Sequence, residues 1–175
     1  MSSITAYLKT LNASIDSRNE GAAYINKKPN LLPELFELAT QKRANREHLT
    51  AAWVLEVYIL KDLSQFDPYW IKLLKRLPEI KHESMRRPLS KILYAYLQKN
   101  FKDINAKQKD AILSICFDWL LEPAAVATQN YALRCLYRLR NHQDWVQEEL
   151  VAIVREQYPH ATPGYRAAAR QILNL

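Results

Sequence analysis

Cationic side chains four residues apart recur in three separate stretches of this sequence. In a helix, residues i and i+4 lie one turn apart on the same face, so each pair would present two positive charges side by side. Like charges at this spacing repel by about 0.2–0.5 kcal/mol, so folding stability alone does not favour them. An anionic ligand would offset the repulsion. The pairs are Arg87 with Lys91, Arg134 with Arg138, and Arg166 with Arg170.

An earlier stretch carries His48 and Glu56 at the equivalent positions, and Glu56 is the only charged residue between Ala51 and Leu60. Glu56 would be a lone acid at one end of a basic surface, able to pair with His48 or with a neighbouring cation. A catalytic carboxylate is the alternative. We call the whole set the basic ridge: His48, Glu56, Arg87, Lys91, Arg134, Arg138, Arg166 and Arg170.

The elements that position the ridge are helices arranged in pairs. Apolar anchor residues of the first helices recur at intervals of 38, 42 and 38 residues, and those of the second helices at 39, 43 and 36. This constant spacing is typical of stacked two-helix units. The ridge falls on the second helices. The first set of anchors is Leu35, Leu73, Ile115 and Ile153, and the second set is Val54, Leu93, Leu136 and Ile172.

We therefore predict an all-α fold of about five antiparallel helix pairs in a single domain, residues 1–175. Residues 1–28 are expected to form an irregular N-terminal capping pair, and residues 30–175 four regular pairs. The chain has only two glycines, whereas hairpins and sheets depend on Gly-rich tight turns.

Helix starts are expected at polar residues with capping spacing. Ser17 with Glu20 has the S-x-x-E pattern of a capping box, and Asn105 is followed three residues later by Gln108. Asp67 and Thr162 each stand directly before a proline, the arrangement favoured at an N-cap followed by the first helical residue.

Bulk composition indicates a globular protein with an excess of positive charge. The chain has 175 residues, 49% hydrophobic and 25% charged, with a net charge of +7. This excess favours an anionic partner, whether nucleic acid, an acidic protein surface or phospholipid.

The sequence begins without a secretory pattern and has no apolar run that could span a bilayer. We expect a cytoplasmic protein with no membrane insertion.

The cysteines and tryptophans are expected mainly in the core. Cys116 and Cys135 fall on the apolar sides of two different helices, which favours reduced core thiols over a disulfide. Trp53 and Trp119 fall in apolar runs, whereas Tyr69 and Trp70 beside Pro68 are candidates for partial exposure.

No signature of a cofactor-dependent enzyme is present. The four histidines never fall four residues apart or in a Cys/His cluster with metal spacing. There is no Gly-rich phosphate loop and no G-x-S-x-G motif. We therefore predict no catalytic residue, metal site or cofactor, and binding is favoured over catalysis. A hydrolase with dispersed catalytic residues remains the alternative.

The last helix, Tyr165–Leu173, resembles the V-R-x-A-A-x-x-A-L core of HEAT repeats, and Pro159–Pro163 is similar to their Pro-containing turn. Weaker echoes occur at Glu122–Leu133 and Arg86–Ser90. The resemblance spans Asn30 to Leu175. It implies a right-handed α-solenoid whose second helices line the concave side, with binding as the usual activity. His48 and Asn130 stand where the family favours Arg, and an armadillo-like arrangement is the alternative.

On this resemblance the basic ridge would line a concave groove that holds an acidic protein segment. HEAT-like DNA glycosylases of the alkylation-repair type also combine a basic concave surface with a Trp and an acid, and Asp118 with Trp119, or Glu56, would take that role. A third interpretation is a solvated ridge paired with acids of the preceding helices: Asp118, Glu148 and Glu149. Self-association through the apolar terminal helices, ending at Ile172–Leu175, is a further possibility.

Overall fold

The structure is a computed structural model that describes residues 3–122 and 126–174. Within these two ranges the chain forms helices and turns and no strand, which confirms the all-α prediction. Pro123–Ala125, which fall within the Glu122–Leu133 echo, and Leu175, the last residue of the resemblance, lie outside the described residues. The α-helices are α1 (Ser3–Leu8), α2 (Ile15–Lys27), α3 (Leu32–Ala39), α4 (Arg46–Ile59), α5 (Trp70–Arg76), α6 (Glu83–Lys99), α7 (Ala106–Leu121), α8 (Val126–Leu139), α9 (Asp144–Gln157) and α10 (Pro163–Leu173).

In the described ranges, four short 3-10 helices directly adjoin α3, α5 and α9, and each contains a proline. They are Pro29–Leu31, Leu63–Tyr69, Leu77–Glu79 and Tyr158–His160. The second of them corrects a predicted helix start. The Asp62 side chain accepts a hydrogen bond from the Ser64 amide at 3.0 Å and caps this 3-10 helix. Pro68 therefore lies inside it, and α5 begins at Trp70 rather than at Asp67.

Polar side chains cap several helices, as the sequence patterns predict, but one start was placed wrongly. Asn105 accepts a hydrogen bond from the Gln108 amide at 3.0 Å, and Thr162 caps α10. The N-cap of α2 is Ser14, not Ser17. The Ser17 hydroxyl is buried and accepts instead from the Asn12 amide at 2.9 Å, so this helix begins earlier than the capping-box pattern indicates.

The chain divides into two compact units, one ending at Ala95 and the other beginning at Tyr96. We call them the N-terminal and C-terminal units. The predicted single domain stays a prediction. In the N-terminal unit α2 and α3 both pack on α4. In the C-terminal unit α7 packs on α8, α9 packs on α10, and the second helices α8 and α10 pack on each other. The C-terminal unit is therefore built from two stacked helix pairs.

All eight apolar anchors are buried, so the predicted spacing marks the core correctly. Trp119 and Trp70 are also buried, the latter against expectation. Trp53 is only half-buried; its indole N–H donates to the Ser84 carbonyl at 3.1 Å, and the Arg18 guanidinium lies over its ring. Ile15, the first residue of α2, is exposed.

Polar contacts also join consecutive helix pairs within each unit. Glu37 on α3 pairs with Lys72 and Arg76 on α5, and Arg76 Nη1 donates to Thr40 Oγ1 at 2.6 Å. Partial burial raises the pKa of Glu37, but the hydrogen bonds from Lys72 and Arg76 outweigh it and hold the pKa below its usual value. In the C-terminal unit Gln157 Nε2 donates to the Leu120 carbonyl at 3.0 Å.

The two glycines of the chain provide matched substitutions that test the packing. A Cβ at Gly21 would lie 2.5 Å from Val54 Cγ2 and 2.9 Å from Leu11 Cδ1, whereas one at Gly164 would lie 3.4 Å from its nearest neighbour, Val126 Cγ1. We expect Gly21→Ala to destabilise the fold by about 1–3 kcal/mol through overpacking, although Ala favours helix. Gly164→Ala should stabilise it by about 0.5 kcal/mol. Denaturant midpoints measure both; a higher midpoint for Gly21→Ala would contradict this packing.

The buried thiols give a second prediction. Cys116 and Cys135 are free and fully buried, and burial together with a hydrogen bond between them raises the pKa of Cys116 well above its usual value. Both should react slowly with a thiol reagent in native buffer and rapidly in denaturant. Because the Cys116 thiol keeps its proton to higher pH in the folded state than in the unfolded state, the free energy of unfolding should fall as pH rises above about 8.5. This fall should be smaller in the Cys116→Ala variant. Rapid labelling of both thiols in the native protein would contradict their burial in the core.

Candidate binding surfaces

His48 does not stand free on the basic ridge. It lies half-buried in the first turn of α4, where its amide donates to Asn45 Oδ1 at 2.9 Å. Its ring Nδ1 lies 2.7 Å from the Arg43 carbonyl oxygen. Because a carbonyl can only accept, Nδ1 must carry the proton in this contact. The side chain therefore fixes the turn before α4.

Glu56 pairs with a cation of the ridge itself. Lys91 Nζ on α6 lies 2.7 Å from Glu56 Oε1 on α4, and the Glu56 side chain is the more buried of the two. The partner of Glu56 is thus the neighbouring cation rather than His48. A short ion pair already occupies this carboxylate, which leaves it poorly suited to accept a proton as a general base. Arg87, one turn before Lys91 on α6, is exposed.

On α8 both ridge arginines are exposed, and an aromatic ring holds one of them. The Arg138 guanidinium lies 4.1 Å from the centroid of the Phe101 ring, and Lys109 Nζ lies 4.5 Å from the same centroid. Such contacts stabilise by about 0.5–1 kcal/mol each at exposed sites. Arg134 Nε donates to Asn130 Oδ1 at 3.4 Å. Phe101 therefore contacts two cations. The sequence patterns did not predict these contacts.

The two arginines of α10 have different surroundings. Arg166 donates from Nε to the Tyr158 carbonyl at 3.1 Å and from Nη2 to the Pro159 carbonyl at 2.7 Å. It thereby satisfies carbonyl groups of the 3-10 helix that ends the α9 segment, which need partners there. Arg166 acts mainly as a structural link in the turn between the helices of this pair. Arg170, one turn later, is exposed.

Charge is segregated between the first and second helices of the C-terminal unit. Helices α8 and α10 contain four arginines and no acidic residue, whereas α7 and α9 contain six acidic residues and three basic ones. Because α8 and α10 pack on each other, their exposed arginines lie on adjoining helices. We call Arg134, Arg138 and Arg170 the arginine face. The six acids are Asp110, Asp118, Asp144, Glu148, Glu149 and Glu156.

The acids expected to neutralise the ridge lie on the first helices. Asp118, Glu148 and Glu149 are exposed on α7 and α9, and in the described part of the chain they form no ion pair with a ridge arginine. Asp118 and Trp119 cannot serve one base-binding site together, because Trp119 is buried in the core while Asp118 faces solvent.

Neither a metal site nor a membrane span is found among the residues described. No group of three or more His, Cys, Asp or Glu side chains in ranges 3–122 and 126–174 could hold a metal ion. No helix in these ranges is long and apolar enough to cross a membrane.

Comparison with known proteins agrees with the helix-pair architecture. A family profile described as a HEAT repeat domain matches residues 9–175, nearly the whole chain. No curated protein and no solved structure matches the chain. The profile match includes the Tyr165–Leu173 segment, on which the sequence resemblance chiefly depends, and the two stacked pairs of the C-terminal unit. The chain therefore belongs to the HEAT repeat domain family.

Proposed function

We propose that this HEAT repeat protein is a non-catalytic binding module that holds an acidic segment of a partner protein against the arginine face. HEAT repeats mediate protein interactions, and stacked repeats create extended surfaces suited to that role. The observation that carries the proposal is the charge segregation of the C-terminal unit, where the packed second helices α8 and α10 carry four arginines and no acid.

The arginine face suits carboxylate groups for two physical reasons. A guanidinium offers a rigid fork of donors that matches a carboxylate in two parallel hydrogen bonds. Arg138 is also held over the Phe101 ring, so less side-chain freedom is lost when it binds. Each carboxylate that pairs with two neighbouring arginines would relieve their mutual repulsion.

The remaining ridge residues lie outside the arginine face. In the N-terminal unit, exposed Arg87 and half-buried Lys91 form a separate pair of cations, and an acidic ligand bound there would compete with Glu56 for Lys91. Arg166 and His48 would act indirectly, because their side chains fix turns next to α10 and α4. We assign no catalytic role to Glu56, since its carboxylate is held in the ion pair.

The test is binding of a fluorescein-labelled peptide of alternating Glu and Ser to the full chain. We expect the double variant Arg134→Glu, Arg170→Glu to lose at least tenfold in affinity, because two donors are replaced by repelling charges. The matched control is Lys107→Glu, Arg155→Glu, which makes the same change in net charge on exposed residues of α7 and α9. Circular dichroism should show that both variants keep their helicity.

Two outcomes would contradict the proposal. Equal affinity of the wild type and the arginine-face variant would show that these side chains are merely solvated. Preference for duplex DNA over the peptide, with a slope of log affinity against log salt of roughly −4 to −5 as expected for about five phosphate contacts, would make the surface a nucleic-acid interface.

A further inference from the structure

The first helices of the C-terminal unit enclose a groove that the proposed function does not use. It lies between α7 and α9 and has a volume of about 390 Å³. Three apolar residues of α7, each one turn after the last, form its floor and one wall: Leu113, Phe117 and Leu121. Trp145, at the start of α9, closes the other side.

Two of these apolar side chains are unusually exposed. Leu121 is 66% exposed and Trp145 is 48% exposed, whereas Leu113 and Phe117 beneath them are buried. Exposed apolar side chains that line one groove and are rimmed by polar residues are typical of protein interaction sites. Trp is also one of the residue types enriched among those that dominate binding energies.

Trp145 is held in place although half of its surface faces solvent. Its indole N–H donates to Gln143 Oε1 at 2.7 Å, and Gln143 Nε2 donates to Asp110 Oδ1 at 2.6 Å. His142 Nε2 lies 3.0 Å from the same Asp110 oxygen. The ring also lies against Phe117, with centroids 5.6 Å apart. These contacts already fix the Trp145 side chain, so it loses little conformational entropy when a ligand binds.

The rim of the groove is acidic in a protein whose net charge is +7. Asp118 on α7 and Glu149 on α9 are exposed and line the groove, and Asp110 lies at the end next to Gln143. Among the residues that the structure describes, no basic side chain lines it. The groove therefore combines an apolar floor with negative charge on both helices, which complements a segment that carries apolar and basic side chains together.

We propose that this groove binds a basic amphipathic segment of a second protein, with an aliphatic side chain seated against Trp145 and Leu121 and Lys or Arg side chains paired with Asp118 and Glu149. The rim would repel acidic segments, so it also provides specificity. This surface is distinct from the arginine face and of opposite charge. The protein would thus join two partners of different chemistry, a role that goes beyond the proposed function and does not depend on it.

The probe is a fluorescein-labelled fourteen-residue peptide with Leu at helical spacing i, i+4 and i+7 and Lys at the flanking positions. We expect saturable binding, measured by fluorescence polarisation, with a change in tryptophan emission. Trp145→Ala should weaken binding about thirtyfold, as is typical when a central aromatic residue of an interface is truncated. Leu121→Lys, at a site so exposed that folding is unaffected, should weaken it about tenfold.

The charge control compares two neighbouring residues of α9. Glu149→Lys, in the groove rim, should weaken binding about tenfold, whereas Glu148→Lys makes the same change in net charge at an exposed site outside the groove and should weaken it much less. Ile71→Ala, which removes an exposed apolar side chain elsewhere, should have no effect.

Several outcomes would overturn the inference. They are no saturable binding up to about 1 mM, equal affinity of the wild type and the Trp145→Ala and Leu121→Lys variants, and equal effects of Glu148→Lys and Glu149→Lys. Concentration-dependent oligomers of the wild-type chain in analytical ultracentrifugation that Leu121→Lys abolishes would also overturn it, because the groove would then hold a second copy. The acidic peptide of the preceding test is a separate measurement, so failure of one proposal leaves the other testable.

Discussion

Burial of one helix pair against the next is the constraint on which the rest of this molecule depends, because no pair of this size can bury its apolar side alone. The anchors Leu35, Leu73, Ile115 and Ile153 and their second-helix counterparts are all buried. Several polar contacts also join residues that lie about one repeat length apart in the sequence. Glu37 with Arg76, Glu56 with Lys91, and Leu120 with Gln157 are 39, 35 and 37 residues apart in sequence, so one repeat length separates the partners in each case.

This constraint decides which side chains remain for binding. Because the apolar stripe of each helix is buried in the core, only the solvent-facing positions of the helix can vary in charge without loss of packing. In the C-terminal unit these outer positions are arginines on α8 and α10 and mainly acids on α7 and α9. The second helices thus present Arg134, Arg138 and Arg170. The first helices present the acidic rim of the groove around Trp145. Two surfaces of opposite character follow from a single packing arrangement.

Much of the fold could be predicted from the sequence, because periodic burial and helix caps are local signals. The anchor spacing located the buried stripes, and Asn105 and Thr162 marked two helix starts correctly. The failures lie where tertiary contacts decide. Ser17 has capping spacing but accepts its hydrogen bond from Asn12. Trp53 sits in an apolar run yet is half-buried under Arg18.

The candidate surfaces were only partly predictable for the same reason. Helical spacing grouped the ridge cations, but it could not show that Arg166 binds backbone carbonyls of the preceding turn while Arg170 stays exposed. The groove was missed altogether. Leu121 and Trp145 appear as ordinary apolar residues of two helices that are distant in sequence. Only the fold shows that both are exposed and line one groove.

The central claim is that the arginine face and the acidic groove are separate binding surfaces. The most direct test is a titration of the ¹⁵N-labelled chain, followed by NMR, with the acidic peptide and the basic peptide in turn. The acidic peptide should shift the Arg134, Arg138 and Arg170 side-chain signals and leave the Trp145 indole N–H in place, and the basic peptide should do the reverse. Overlapping shifts from both peptides, or shifts confined to residues outside both surfaces, would contradict the account.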